Sequence, residues 1–206
     1  KKLLLNFANV EFLVSAALVG IQIALTRYFA VAKWSEYGYW VISIVLAGFA
    51  LSGVVMALAR DWFAARGRVL LDWLPAFLIL AAAIGFHFVA ENPFNPLQLQ
   101  NPATFQGQLW NIAGYYLVLL PFFCGGGVYI SLYFILNDRE IGRVYGYDLT
   151  GAGAGSLLGL ALMWWLHPFM LLPALLVPLA LAALFTTRRW VRPVTLAALA
   201  AGVALG

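Results

Sequence analysis

The sequence is poor in cysteine and in charge. Cys124 is the one cysteine among 206 residues, which excludes a disulfide framework and a cysteine-based metal site. Charged residues make up 10% of the chain, against about 25% in soluble globular domains, and hydrophobic residues make up 64%. No globular core of this length needs so much apolar surface. The composition, with a mean hydropathy of +0.91, therefore predicts a membrane protein.

The chain also lacks the patterns of a nucleic-acid-binding protein or of a self-contained enzyme. Its formal net charge is +4, but apolar runs separate the basic residues, which form no basic patch. We therefore expect no nucleic-acid partner. The sequence contains no nucleophile–base–orienter set, no P-loop and no zinc motif. We expect no catalytic residue, metal or cofactor in this chain.

Long apolar runs are what the sequence does contain. A helix needs about 20 mostly apolar residues to cross the hydrocarbon core. Backbone groups in lipid must be satisfied within their own segment, so each run predicts a helix. The fold class predicted is all-α, a polytopic transmembrane bundle of about seven helices with the last incomplete. The predicted spans are Phe7–Val31, Tyr39–Ala59, Leu70–Ala90, Leu109–Leu136, Leu149–Leu166, Phe169–Phe185 and the unfinished Val194–Gly206.

The basic residues are unevenly distributed between the two sides of the predicted bundle. Ten of the 12 Lys and Arg residues precede the first helix or follow the second, fourth and sixth, and the loop Glu91–Gln108 has none. The positive-inside rule then places the amino terminus in the cytoplasm. All eight tryptophans fall at predicted helix ends, as in an aromatic belt.

The middle of the fourth predicted helix contains helix-breaking residues. Pro121 precedes the run Gly125, Gly126 and Gly127, and we expect a kink or a local break there. Broken helices often mark binding sites in transporters. Proline and glycine are also generally more frequent in membrane helices, so both interpretations stay open.

Glycines recur every four residues on the fifth predicted helix, at Gly151, Gly155 and Gly159. Small residues at this spacing let another helix approach closely. A dinucleotide-binding loop is excluded because no strand precedes the glycines. We interpret them as a packing face, and we expect it to bind other membrane subunits or a second copy of the chain. The lipid bilayer is the other expected partner.

Four polar residues are candidates for an intramembrane function. Gln22 and Thr26 share one face of the first helix, and Arg27 follows. Polar residues at depth are functional candidates by default; the alternatives are an interhelical hydrogen bond for Gln22 and snorkelling for Arg27. Asp148 is predicted at the start of the glycine-rich helix, where the helix dipole favours a carboxylate. Docking of a partner or attraction of a cationic substrate is the alternative role for Asp148.

Two histidines fall on the side opposite to most of the basic residues. This placement would allow His87 and His167 to meet. Without a predicted carboxylate partner, the pair is only a weak indication of a metal site.

Two segments of the chain resemble a single family. The first is Ala16–Phe29, and the second runs from Leu120 through the glycine triplet to Ile141–Gly155. Together they resemble the membrane portion of the bacterial spermidine-synthase-like proteins, in which a multi-helix domain precedes a Rossmann-type aminopropyltransferase domain. In that family the first helix typically ends in Glu-x-x-x-Thr-Arg, and a Gly-Arg-x-Tyr-x-x-(Asp/Asn)-Leu-x-Gly segment links two later helices. The matching positions are Thr26, Arg27, Gly142, Arg143, Tyr145, Asp148, Leu149 and Gly151.

The chain departs from the family pattern at Gln22, where the family usually has a glutamate. This departure removes a negative charge, and it weakens any proton or cation role carried over to that position. The resemblance implies a multi-pass protein of the bacterial cytoplasmic membrane that anchors or regulates a cytoplasmic aminopropyltransferase-like domain.

The two ends of the sequence bear on its domain organisation. The chain starts without methionine and stops at Gly206 inside an apolar run. We therefore expect residues 1–206 to be the transmembrane domain of a longer protein, with a soluble Rossmann-type domain to follow. Two other functions stay open. One is a non-catalytic accessory subunit of a larger membrane complex, and the other is a small-molecule carrier with its site at the expected break in the fourth helix.

Overall fold

The computed structural model describes residues 2–186, 194 and 196–200, with side chains at residues 10–185, 194 and 196–200. These residues form helices and turns and contain no strand, which confirms the all-α prediction. Residues 194 and 196–200 are helical, and the rest of the predicted seventh span lies outside the described residues. The six complete helices are α1 (Lys2–Ala32), α2 (Gly38–Leu58), α3 (Arg60–Glu91), α4 (Pro102–Leu136), α5 (Ile141–Leu162) and α6 (Pro168–Thr186).

Within the described residues, five helical segments are long and apolar enough to cross a membrane. They are Val10–Ala32, Ser35–Leu58, Arg60–Glu91, Pro102–Leu136 and Pro168–Phe185. The fifth predicted span, Leu149–Leu166, is helical only to Leu162, after which the chain makes turns before α6 begins at Pro168. Glycine adds little hydropathy, and glycine-rich α5 is not among these five segments.

Two Asn-Pro pairs give structure to the segment predicted as the loop Glu91–Gln108. The Asn101 side chain accepts a hydrogen bond from the Ala103 amide at 3.0 Å, and Pro102 opens α4. The Asn95 side chain caps the short 3-10 turn Pro96–Gln100 in the same manner. Asparagine at the N-cap followed by proline at the first helical position is a favoured helix start. Most of the expected loop is therefore helical.

α1 is the most extensively packed helix of the bundle. It packs mainly against α5 and α6, whereas α4 packs against α2 and α3. The chain reverses direction at each connection, so α1 and α5 run parallel. We call the end of the bundle with the α1–α2, α3–α4 and α5–α6 connections the Asn92 end, and the opposite end the Asn137 end.

Exposed tryptophans lie at both ends of the bundle, as an aromatic belt requires. Trp164 and Trp165, between α5 and α6, are 87% and 88% exposed. Trp190 lies outside the described residues. The other exposed tryptophans are Trp34 and Trp110 at the Asn92 end and Trp62 and Trp73 towards the Asn137 end.

α4 is continuous from Pro102 to Leu136, so the predicted local break at Pro121, Gly125, Gly126 and Gly127 is wrong. The three glycines serve close packing instead, each towards a different helix. A β-carbon on Gly125 would lie 2.7 Å from the Phe77 ring of α3, and one on Gly126 would lie 2.5 Å from Leu18 Cδ2 of α1. A β-carbon on Gly127 would overlap Ser52 of α2. Consecutive residues point about 100° apart around a helix, so a glycine triplet lets α4 approach three neighbours at one level.

Candidate functional site

One carboxyl group is buried inside the bundle. Glu11 of α1 is 0% exposed, and neither of its carboxyl oxygens has a hydrogen-bond partner among the described residues. An ionised carboxylate buried without a donor or a cation is costly by several kcal/mol. Acidic residues inside membrane helices are rare, and they are functional candidates by default. Glu11 is therefore the centre of the candidate site.

Three side chains from three helices surround this carboxyl group. Ser15 lies one turn beyond Glu11 on α1, is 2% exposed, and its Oγ donates a hydrogen bond to Asp148 Oδ1 of α5. Asp148 is half-buried and close enough to Glu11 to act on it electrostatically. The buried Tyr133 of α4 is likewise within electrostatic reach of Glu11. We call Glu11, Ser15, Tyr133 and Asp148 the Glu11 site.

The glycines of α5 bring Asp148 to this position. A β-carbon on Gly151 would overlap the Phe12 carbonyl oxygen, and one on Gly155 would overlap the Ala16 carbonyl oxygen. Each contact advances four residues on both helices, which is the register of two parallel helices in close approach. Asp148 lies almost one turn before Gly151 on the same helix, and its carboxylate accepts the hydrogen bond from Ser15 across this interface.

The third glycine of the stripe continues the contact with α1. A β-carbon on Gly159 would lie 3.4 Å from Ile23 Cγ2 and 3.7 Å from the backbone of Gly20. Gly151, Gly155 and Gly159 are therefore a helix-packing face, as predicted, but α1 of the same chain occupies it. In this structure α1 covers the face through which another subunit or a second copy is expected to bind.

The structure does not bring Gln22, Thr26 and Arg27 to the Glu11 site. Thr26 Oγ1 donates to the Gln22 carbonyl oxygen at 2.9 Å, a bond within α1 itself. Gln22 and Thr26 are half-buried and Arg27 is exposed. Gln22 lies eleven residues beyond Glu11, which is about 16 Å along the helix axis.

Asp148 belongs to the site for a different reason from the one predicted. α5 begins at Ile141, so Asp148 lies two turns inside the helix and not at its start. The field of the helix dipole falls off within the first turn, so it does not account for this carboxylate. The hydrogen bond from Ser15 is its described stabilising contact.

No hydrogen bond or ring contact joins the two histidines among the described residues. The His167 ring stacks on Phe169 with centroids 5.2 Å apart, and His167 Nδ1 accepts a 3.5 Å hydrogen bond from the Phe169 amide. His87 is exposed on α3. In the described part of the chain, no three His, Cys, Asp or Glu side chains are grouped so that they could hold a metal ion.

A separate polar network joins the helix connections at the Asn92 end. Lys33 Nζ donates to the Asn92 carbonyl oxygen at 2.8 Å, and Asn92 Nδ2 donates to the Asn111 carbonyl oxygen at 3.0 Å. Gln108 Oε1 accepts from the Asn95 amide at 3.0 Å. Partial burial lowers the pKa of the Lys33 ammonium group. The first two bonds join the ends of α1 and α3 to each other and to α4, so we interpret the network as structural.

Glu11 is absent from the polar residues predicted above, although the sequence contains a signal for it. It lies within the predicted span Phe7–Val31, where an acidic residue is unusual. Its spacing of four from Ser15 also places both side chains on one face of the helix. The sequence does not reveal that Asp148 lies beside these two residues, because it is 133 positions from Ser15 along the chain.

No family model, no curated protein and no solved structure matches this chain. The candidate site therefore rests on the arrangement of the residues themselves.

Proposed function

We propose that this chain is the membrane domain of a spermidine-synthase-like protein. It lies in the bacterial cytoplasmic membrane with the Asn137 end and most basic residues on the cytoplasmic side, and it anchors or regulates an aminopropyltransferase-like domain. The observation that supports this proposal is the meeting of the two segments that carry the resemblance. Ala16–Phe29 belongs to α1 and Ile141–Gly155 to α5, and the two pack together with Gly155 against Ala16.

The Glu11 site places two carboxyl groups, those of Glu11 and Asp148, at the interface between α1 and α5. Its carboxyl groups lie on the turns of α1 and α5 that precede the Ala16–Gly155 contact, towards the Asn137 end. In the proposed orientation this is the cytoplasmic half of the membrane, the side on which an enzyme domain would lie. A structural change at the α1–α5 interface would then occur close to the enzyme domain that this interface regulates.

The experiment begins with the complete gene product. We expect its sequence to contain a Rossmann-type domain after Gly206, and we expect the purified protein to transfer an aminopropyl group to a diamine. A complete product without that domain would overturn the proposal, and so would a folded protein without transferase activity. Substitution of Gly155 by leucine would separate α1 from α5 and should change the activity, whereas Gly153→Leu on the open face of α5 is the matched control.

An accessory role in a larger membrane complex is the second candidate function. It is favoured by the face of α5 that points away from α1. Gly142, Gly146 and Gly153 have no neighbouring atom within 4 Å of a β-carbon position among the described residues, and Leu157 is 70% exposed. Native mass spectrometry after gentle extraction tests this role, since a purely monomeric species argues against it. The continuity of α4 removes the expected break on which the carrier hypothesis depends.

A further inference from the structure

We propose that Glu11 is a proton-binding site within the bundle, and that Glu11 and Asp148 together carry a single negative charge. The inference goes beyond the proposed membrane-domain function and does not depend on it, since it concerns side chains of this chain alone. Its basis is the contrast between two carboxyl groups. Glu11 is buried and has no hydrogen-bond partner among the described residues, whereas Asp148 accepts a hydrogen bond from Ser15.

The direction of the Ser15 hydrogen bond distinguishes the two acids. Ser15 donates to Asp148, so the carboxylate of Asp148 has a hydrogen-bond donor. The oxygens of Glu11 receive no such bond from the described residues. Two neighbouring carboxyl groups resist simultaneous ionisation because like charges repel at short range. The arrangement therefore assigns the negative charge to Asp148 and the proton to Glu11.

The packing around Glu11 suits a proton better than a larger ligand. Val10 and Val14, on the adjacent turn of α1, are 1% and 0% exposed, and Ser15 is 2% exposed. Tyr133 of α4 is 3% exposed and lies within electrostatic reach of Glu11. A cationic amine or a hydrated metal ion needs a cavity beside the carboxyl group, whereas a proton needs none, and Glu11 itself is 0% exposed. We therefore take the proton as the ligand.

Few titratable groups face Glu11 from the neighbouring helices. Asp148 faces it from α5, and the Tyr133 hydroxyl is within its electrostatic reach from α4. The sequence of α6 contains no titratable residue, and that of α2 contains only Tyr39, at the Asn92 end. Tyr129, one turn from Tyr133 on α4, is also buried and stacks on the Tyr133 ring. Among the side chains that the structure describes, Asp148 is thus the charged group that acts on Glu11. Because Asp148 is half-buried, it also lies on the more exposed side of the site.

The test is infrared difference spectroscopy of the intact chain in lipid nanodiscs over a pH series. A protonated carboxyl group in an apolar site gives a carbonyl stretching band that is separate from that of a carboxylate. We expect this band in the wild-type chain at neutral pH and its loss in Glu11→Gln, which preserves the shape of the side chain. Glu36→Gln is the matched control, because Glu36 is exposed at the Asn92 end and its substitution should leave the band in place.

A second variant keeps the inference testable if Glu11→Gln does not fold. Asp148→Asn removes the neighbouring negative charge, so the band should disappear at a lower pH than in the wild-type chain. A band that persists unchanged in folded Glu11→Gln would overturn the inference. A midpoint that is unmoved in Asp148→Asn would overturn it as well. Neither result bears on aminopropyltransferase activity, so the two proposals fail separately.

Discussion

Ser15 of α1 donates its hydroxyl hydrogen to Asp148 of α5, and the bond joins residues 133 positions apart in the sequence. It lies between the buried carboxyl group of Glu11 on one side and the closely packed Gly151 and Gly155 on the other. Glycine packing and an acidic site are therefore two aspects of one interface. The close approach of the helices brings Ser15 within hydrogen-bonding distance of Asp148.

Replacement of Ser15 by alanine should destabilise the bundle. Ser15 is the described donor to Asp148, and a hydrogen bond to a charged group contributes about 1.5–3 kcal/mol to stability. We expect the free energy of unfolding in detergent to fall by about that amount. Ser156→Ala is the control, because Ser156 is half-buried on α5 and donates only to the Gly153 carbonyl of its own helix. Equal losses in the two variants would contradict the assigned role of Ser15.

Gly155→Ala should destabilise the α1–α5 interface. The added β-carbon would overlap a backbone atom of Ala16, which cannot move aside as a flexible side chain can. Overpacking of this kind costs about 1–3 kcal/mol. Gly153→Ala on the same helix meets no atom within 4 Å among the described residues, and it should be neutral or slightly stabilising. Thermal unfolding of both variants in the same detergent measures the difference, and equal midpoints would contradict the packing.

Gly48→Ala should disturb the contact between α2 and α4. A β-carbon on Gly48 would lie 2.6 Å from Phe123 Cβ and 3.0 Å from the Cys124 amide nitrogen, both of which are held by α4. The free energy of unfolding should fall by about 1–3 kcal/mol. Gly53→Ala is the matched control on α2, since Gly53 is exposed and has nothing within 4 Å of its β-carbon position. A larger loss in Gly53→Ala than in Gly48→Ala would reverse the expected order.

The Lys33 ammonium group should make the free energy of unfolding depend on pH in the alkaline range. Burial lowers its pKa in the folded chain, so the folded state binds this proton less tightly than the unfolded state does. Stability therefore rises as the pH increases through the folded-state pKa towards the ordinary lysine value of about 10.4. Below the folded-state pKa both states are protonated, and this dependence is absent. The difference in stability between the wild-type chain and Lys33→Gln should grow across that window, and a constant difference would contradict the expectation.

Five of the helices could be predicted because each contains an apolar run long enough to span lipid. Their ends could not be predicted as well, since Asn101 and Pro102 are typical of a loop as well as of a helix start. The glycine triplet of α4 was ambiguous for a similar reason. Glycine weakens a helix when it is exposed, but it permits close packing when neighbours such as Leu18 and Phe77 surround it. Local sequence does not tell these two situations apart.

The candidate site could be predicted only in part. Asp148 was selected from the sequence, but its partner Ser15 lies on a helix whose register against α5 depends on Gly151 and Gly155. Glu11 is predictable in principle from its charge within an apolar span, whereas Gln22 is a candidate as a polar residue on the same face of that span as Thr26. The family role and the domain expected after Gly206 stay predictions.

The measurement that tests the account most directly is a double-mutant cycle on Glu11 and Asp148. The central claim is that these two carboxyl groups form one electrostatically coupled site between α1 and α5. The free energy of unfolding is measured at neutral pH for the wild-type chain, Glu11→Gln, Asp148→Asn and the double variant. Residues that share one site show coupling energies of about 0.5–3 kcal/mol, and we predict a value in this range. Additivity of the two substitutions to within about 0.3 kcal/mol would contradict the claim.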